Sequence, residues 1–235
     1  MSSAQPEVVE RYYDHAATGR ARALKLLREI GQRMALIAGL AALVAPLQMI
    51  AAVTLDLPLS IFDSLRGPGG MAPSAFLSRG EGLFMLNTLG FILMARVWGA
   101  KTVSRVVLVS WIIAAALLLM LIVELAPELR GSDFPEGRFI AALLVAWMVG
   151  QWAATWVYHF LRGGAWWKGP FFGAAIGFAV QAAIYFPSAY AGTGAPWTLW
   201  LALQLLISFA MAGAFALFYG PLRMLFPPQT GLGGR

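Results

Sequence analysis

The sequence predicts an all-α polytopic membrane protein with six transmembrane helices and an N-terminal interfacial amphipathic helix. Of its 235 residues, 60% are hydrophobic and only 12% are charged, which is too little polar surface to coat a soluble domain of this length. Long apolar stretches recur along the chain, and most basic residues fall on alternate connections between them. Lipid is therefore the expected surroundings for most of the chain.

Each apolar stretch is judged by length, since a helix needs about 20 apolar residues to cross the hydrocarbon core of a bilayer. Five stretches qualify directly: 34–55, 106–125, 139–160, 169–190 and 197–218. A sixth lies at 71–95, but the polar run at 78–81 interrupts it and leaves only 82–95 uninterrupted. We expect this second span to be short, broken or partly re-entrant.

The basic residues predict the topology, because short loops rich in lysine and arginine stay on the cytoplasmic side. Thirteen of the 17 lysines and arginines precede the first span, join spans two and three, join spans four and five, or follow span six. The acidic residues are concentrated on the opposite connections. Both termini are therefore predicted to be cytoplasmic.

The segment before the first span is predicted to contain an amphipathic helix that lies at the membrane surface. Ala23, Leu27, Ile30 and Met34 recur at helical spacing, with basic residues off that stripe, as in helices that lie in the interface. Docking onto a partner protein is the alternative. The domain organisation is then a cytoplasmic segment at 1–33, one helical bundle at 34–226 and a flexible cytoplasmic tail at 227–235.

The chain lacks the motifs of soluble enzymes: it has no phosphate-cradling glycine loop, no HExxH, no GxSxG and no cysteine. Its two histidines, His15 and His159, lie far apart in the sequence, which disfavours a metal site. We therefore expect no enzymatic activity, no cofactor and no metal. The basic residues that give the chain its net charge of +6 lie next to the spans. Anionic lipid headgroups are therefore the expected partners, and nucleic acid is not.

Uncharged polar residues inside the spans are the candidate functional residues, because each needs a hydrogen-bond partner away from water. Gln151 and Thr155 share one helical face with Tyr158. Glutamines on three different spans are suited to bind the edge of a planar heterocycle, which carries donors and acceptors that amides match. Hydrogen bonding between helices is the alternative. The candidate substrate-binding residues are Asn87, Gln151, Thr155, Gln181 and Gln204.

Four segments of the chain resemble the vitamin-uptake-type (VUT) family of queuosine precursor transporters. They are ARVWGAKTVSRVV at 95–107, VGQWAATWVYHFLR at 149–162, WWKGP at 166–170 and YGPLRML at 219–225. Their order and spacing match the family over roughly residues 85–226. The resemblance implies a six-helix importer of 7-deazaguanine bases in a bacterial-type inner membrane.

The chain departs from the family pattern at the polar and charged positions of its spans. Ile92 and Ala154 stand where the family has acidic residues, Phe178 and Gln181 where it has an Asn or Asp pair, and Gln204 where it often has lysine. Intramembrane charges are costly and are normally kept for binding or ion coupling. Two interpretations follow: an importer that uses glutamines and aromatic side chains, or a non-transporting accessory subunit of a larger membrane complex or homo-oligomer, with its cavity filled by Phe178.

Overall fold

The computed structural model is built from helices packed side by side. It describes residues 7–65, 78–125, 127 and 137–228, and within these ranges it contains no β-strand. A short 3-10 helix at Ser60–Leu65 follows the first long helix. The six long helices are α1 (Glu7–Val53), α2 (Arg79–Trp98), α3 (Ala100–Leu125), α4 (Gly137–Leu161), α5 (Lys168–Tyr190) and α6 (Trp197–Leu225).

All six helices contain a stretch that is long and apolar enough to cross a membrane. Their large side chains that face away from the bundle are mainly Leu, Ile, Val and Phe, which is the surface that lipid tails accept. The chain is therefore a multi-pass membrane protein, and the predicted fold class is confirmed. We call the end of the bundle where α1, α3 and α5 finish the outer end, and the opposite end the inner end.

The second helix, α2, lies in the middle of the bundle. It packs against α1, α3, α4, α5 and α6, more of the described helices than any other helix does. Ten residues of α2 are buried, including Phe84, Phe91 and Ile92. A central helix faces protein on most of its surface, so it does not need the strongly apolar surface of a lipid-exposed helix. This position explains why α2 is the least apolar of the six.

The polar run at 78–81 starts α2 and does not interrupt it. Ser78 is the N-cap, and its Oγ accepts a hydrogen bond from the backbone N–H of Glu81 at 3.0 Å. At the other end, only Gly99 separates α2 from α3, with a φ of 77° that favours glycine. At 20 residues α2 is the shortest of the six long helices, but it is unbroken from Arg79 to Trp98 and long enough to span a membrane. Residues 71–77 of the predicted span lie outside the described residues. The third span begins earlier than predicted because Lys101 and Arg105 are helical.

The start of α2 is joined to the end of α1 through backbone contacts. The N–H of Arg79 donates to the carbonyl of Leu57 at 2.8 Å, and the N–H of Gly80 donates to that of Thr54 at 3.1 Å. A Cβ at Gly80 would lie 2.1 Å from the carbonyl oxygen of Ala51. Glycine is therefore required here, and it holds the first turn of α2 against α1.

The predicted surface helix is continuous with the first span. α1 runs unbroken for 47 residues, about 70 Å at 1.5 Å per residue, which is more than twice the thickness of a hydrocarbon core. The stripe residues Leu27, Ile30 and Met34 are all more than half exposed. The segment is thus the N-terminal part of α1, and its location at the membrane surface stays a prediction. Residues 229–235 of the predicted tail lie outside the described residues.

Helices α4 and α5 pack closely through glycine. A Cβ at Gly177 would lie 2.6 Å from the Cβ of Ala154, and one at Gly150 would lie 2.7 Å from the carbonyl oxygen of Gly177. Gly173 likewise faces Ala154 and Tyr158. Gly173 and Gly177 form a small-xxx-small pair, a pattern typical of closely packed membrane helices.

Candidate functional site

A cavity of about 260 Å³ lies in the outer half of the bundle, between α1, α2, α4, α5 and α6. We call it the outer cavity. It is partly open, and its walls combine aromatic rings, aliphatic side chains and a few polar groups. The polar and aromatic residues that give the cavity its chemistry include Glu81, Trp147, Gln181, Tyr185, Trp200 and Gln204. Ligand pockets of proteins commonly have this composition.

Glu81 is the charged group of the outer cavity. The cap at Ser78 places it in the first turn of α2, and its carboxylate accepts a hydrogen bond from the side-chain amide of Gln204 on α6. No lysine or arginine is found among the described residues that line the cavity. A charged side chain within a membrane span costs free energy, and such residues are normally functional. Glu81 lies in the candidate span Arg79–Trp98 and is therefore the leading functional candidate.

Gln181 contributes an unpaired polar atom to the same cavity. Its side chain is 3% exposed, and its Oε1 has no hydrogen-bond partner among the described residues. Gln204, which is 4% exposed, lies across the cavity on α6. A buried acceptor without a partner costs free energy, and a ligand that donates an N–H would satisfy it.

The inner side of the outer cavity is closed by aromatic side chains. Trp147 lines the cavity, and its ring stacks on that of Phe84 with centroids 4.5 Å apart. The Phe84 ring lies 5.5 Å from that of Trp111. Further along the bundle, Phe178 is buried and meets Phe215 edge to face at 5.7 Å. The core therefore fills the bundle below the cavity, and the cavity does not pass through it.

Gln151 belongs to a different group of polar residues, which we call the closed cluster. It consists of Gln48 on α1, Ser110 and Trp111 on α3, and Gln151 on α4, all of them buried. The indole N–H of Trp111 donates to Oε1 of Gln151 at 2.8 Å. In the amide orientation that satisfies both of its polar atoms, Gln48 accepts from the same indole at 3.0 Å and donates to Ser110. These contacts tie α1, α3 and α4 together.

The structure brings two of the predicted candidates into the outer cavity and leaves the other three outside its lining. Gln181 and Gln204 line it, whereas Gln151, Thr155 and Asn87 do not. Thr155 donates to the backbone carbonyl of Gln151 at 2.8 Å, a common arrangement for a helical threonine. Asn87 is buried in α2 with its Nδ2 unpaired among the described residues. The three predicted glutamines thus do not converge on one point.

The sequence contains a signal for Glu81 that the charge count obscures. Ser78 and Glu81 have the S-x-x-E spacing of a capping box, which places both residues at a helix start. The count of charges on the connections between spans instead places Glu81 in the loop between the first two spans. Gln48 and Trp111 have no comparable signal, because a glutamine or tryptophan in an apolar stretch does not reveal which helix it faces.

Comparisons with protein-family models, with curated proteins and with solved structures find no match for this chain. The resemblance to the vitamin-uptake-type family therefore rests on the sequence motifs alone. The fold and the cavity define a multi-pass membrane protein with a polar pocket near its outer end.

Proposed function

We propose that this protein is a membrane transporter for a small planar heterocycle, with 7-deazaguanine bases, the queuosine precursors, as the substrate class. The outer cavity carries the proposal, because it combines an intramembrane carboxylate, two glutamines and aromatic walls around about 260 Å³ of free space. This volume lies below the range of typical drug-sized pockets and suits a ligand of one or two fused rings.

The hydrogen-bonding character of the cavity supports this substrate class. The carboxylate of Glu81 and the unpaired Oε1 of Gln181 are acceptors, and a carboxylate accepts two parallel N–H groups. A 7-deazaguanine base presents a ring N–H beside an exocyclic amine on one edge, and it has flat faces. Trp147, Tyr185 and Trp200 supply rings for those faces.

The charge distribution supports import across an inner membrane. Arg96, Arg162 and Arg223 meet at the inner end of the bundle, which is the predicted cytoplasmic end. With both termini in the cytoplasm, the outer cavity would open away from the cytoplasm and receive its ligand there. The closed aromatic layer below it corresponds to an outward-facing state in an alternating-access cycle.

The test is complementation of a bacterial strain that cannot import queuosine precursors, with tRNA modification as the readout. We expect the wild-type chain to restore queuosine in tRNA when the free base is supplied, and a Gln181→Ala, Gln204→Ala double variant to fail at equal membrane abundance. A Gln151→Ala variant is the matched control from the closed cluster. Absence of modified tRNA with the wild-type chain present in the membrane would contradict the proposal.

A non-transporting accessory subunit is the second candidate, and one observation favours it. The inner half of the bundle is filled, with Phe178 packed against Phe215 where the family has polar residues. Such a subunit would copurify with a fixed partner or as a homo-oligomer, and it would not bind the base. Binding of the base to the purified single chain separates the two candidates.

A further inference from the structure

A second polar site lies at the inner end of the bundle, on the opposite side from the outer cavity. We call it the inner cleft. It is formed where α2, α4 and α6 end and α5 begins. The residues that define it are Arg96, Tyr158, Arg162, Trp166, Tyr219 and Arg223. Its described lining contains three arginines and no carboxylate.

One of the two tyrosine hydroxyl protons at the bottom of the cleft has no acceptor among the described residues that line it. Tyr158 and Tyr219 are buried, and their hydroxyl oxygens lie 2.8 Å apart. One hydroxyl donates to the other, and Nη1 of Arg96 also donates to the Tyr219 oxygen at 3.3 Å. The hydroxyl that accepts from the other tyrosine carries a proton of its own. That proton has no acceptor among Tyr158, Tyr219 and Arg96, because a guanidinium has no acceptor atom. An anionic oxygen would complete the group.

The arginines are held in place by the fold. Nε of Arg96 donates to the carbonyl of Phe226 at 2.7 Å, which fixes its guanidinium beside the end of α6. The guanidinium of Arg223 lies over the ring of Trp166, 5.1 Å from its centroid. That ring in turn contacts Gly220, where a Cβ would lie 3.3 Å away. Fixed, stacked guanidiniums recognise phosphate better than mobile lysines do.

The first turn of α5 adds a further positive contribution. Pro170 in this turn lines the cleft, and the N-cap residue Trp167 makes no side-chain cap hydrogen bond. The positive end of the α5 dipole is thus at the cleft. Gly169 packs against the Tyr158 ring, with a Cβ position 3.0 Å from it. The helix start, the tyrosines and the arginines therefore surround one location.

The free space indicates how a ligand would fit. The cleft has room for about 10 Å³, which is about one water molecule or one ligand oxygen. A phosphate group would insert a single oxygen between Tyr158, Tyr219 and Arg96. Its other oxygens would remain at the mouth, near Arg162 and Arg223, which are only partly buried.

We propose that the inner cleft is a binding site for a phosphate group, held by Arg96, Arg162 and Arg223 with the Tyr158–Tyr219 pair beneath it. The phosphate belongs either to the headgroup of an anionic phospholipid or to a free phosphate compound. Basic pockets between spanning helices on the cytoplasmic side commonly bind lipid headgroups. The proposal is independent of the outer cavity and of the substrate that it binds.

The test is a thermal-unfolding titration of the purified chain in neutral detergent. The probes are phosphatidylglycerol, phosphatidylcholine and inorganic phosphate. The cleft variant combines Arg96→Gln, Arg162→Gln and Arg223→Gln. Its matched control combines Arg33→Gln, Lys101→Gln and Arg105→Gln, which removes the same charge from exposed residues of the same predicted side. Arg162→Gln alone serves as a milder cleft variant.

We expect a saturable rise in the melting temperature of the wild-type chain and of the control, because a ligand that binds only the folded state stabilises it. In the cleft variant, binding should weaken at least about tenfold, the effect of losing one charge-assisted hydrogen bond. If the triple variant does not fold, Arg162→Gln should show a weaker titration with an unchanged starting melting temperature.

The response to each probe identifies the source of the phosphate. A shift with phosphatidylglycerol but not with inorganic phosphate assigns a lipid headgroup, and a shift with inorganic phosphate assigns a free phosphate compound. The proposal is overturned if neither probe gives a saturable shift with the wild-type chain, if phosphatidylcholine acts as strongly as phosphatidylglycerol, or if the control loses binding as much as the cleft variants.

Discussion

The closed cluster and the outer cavity use the same residue type for different purposes. In the closed cluster, the oxygen atoms of Gln48 and Gln151 accept hydrogen bonds from the indole N–H of Trp111. In the outer cavity, Oε1 of Gln181 is unpaired among the described residues, and Gln204 pairs with a carboxylate that has no basic partner in the described cavity lining. Both groups are buried in the same helical bundle.

The two groups differ in the free space beside them. Nε2 of Gln151 and Oε1 of Gln181 both lack a hydrogen-bond partner among the described residues, but only Gln181 lines the cavity. Polar groups that the chain itself satisfies stabilise one arrangement of helices. Polar groups that remain unsatisfied beside free space reduce stability, and a ligand can recover that loss. We therefore expect substitutions in the outer cavity to change binding and substitutions in the closed cluster to change folding.

The largest effect is expected for Glu81→Gln. This change removes the carboxylate while keeping its shape, so uptake of a 7-deazaguanine base should fall about 10- to 100-fold, the value of a hydrogen bond to a charged group. The measurement is initial uptake rate at equal membrane abundance. Glu124→Gln, at the exposed outer end of α3, is the control and should retain uptake. Unchanged uptake in Glu81→Gln would remove the carboxylate from the site.

The next largest effect is expected for Gly150→Ala. Gly150 precedes Gln151 of the closed cluster in the chain and packs against Gln181 of the outer cavity. The added Cβ would lie 2.7 Å from the carbonyl of Gly177 and 2.8 Å from Cβ of Gln181. Overpacking of this kind costs about 1–3 kcal/mol of unfolding free energy, and the shift of Gln181 should lower uptake as well. Unfolding in a denaturing detergent measures the first quantity. Gly213→Ala, with nothing within 4 Å, should retain both stability and uptake; equal losses would contradict the packing account.

A smaller effect, on stability alone, is expected for Gln151→Ala. The substitution takes one acceptor from the Trp111 indole, whose N–H is buried, and should cost about 1–2 kcal/mol of unfolding free energy. Uptake per folded molecule should not change. The measurement is unfolding free energy together with uptake normalised to folded protein. Loss of uptake with unaltered stability would return Gln151 to the substrate site that the sequence predicts.

The smallest effect is expected for Gln181→Ala. Its oxygen makes no hydrogen bond within the described protein, so folding should be unaffected. A neutral hydrogen bond to the ligand is worth about 0.5–1.5 kcal/mol, which corresponds to a loss of roughly 2- to 12-fold in apparent affinity for the base. Transport saturation curves measure this change. A loss of stability without a change in affinity would show that Gln181 is structural.

Much of the fold is predictable from the sequence because lipid imposes a simple rule on helix length and composition. That rule identifies six spans, but it does not tell which helix is central. α2 has the lowest mean hydropathy of the six spans because it packs against protein and needs less apolar surface. The continuity of α1 is also missed, because basic residues are compatible both with a helix on the membrane surface and with a helix that extends beyond it.

The candidate site is only partly predictable, and the reason is geometric. Helical periodicity places residues on one face of their own helix but does not give the rotation of that face relative to the other helices. Gln181 and Gln204 face the central cavity, whereas Gln151 is turned toward Trp111. The role of Glu81 depends on where α2 begins, which the capping pattern at Ser78 indicates and the charge count does not.

Direct binding of the base to the purified chain tests whether the outer cavity is the substrate site. A labelled 7-deazaguanine base is titrated against the purified wild-type chain, the Gln181→Ala, Gln204→Ala double variant and the Gln151→Ala variant. We expect saturable binding to the wild-type chain and to Gln151→Ala, and binding to the double variant that is weakened by more than the roughly 2- to 12-fold expected for Gln181→Ala alone. Saturable binding to the double variant with wild-type affinity, or no binding to a folded wild-type chain, would contradict this assignment.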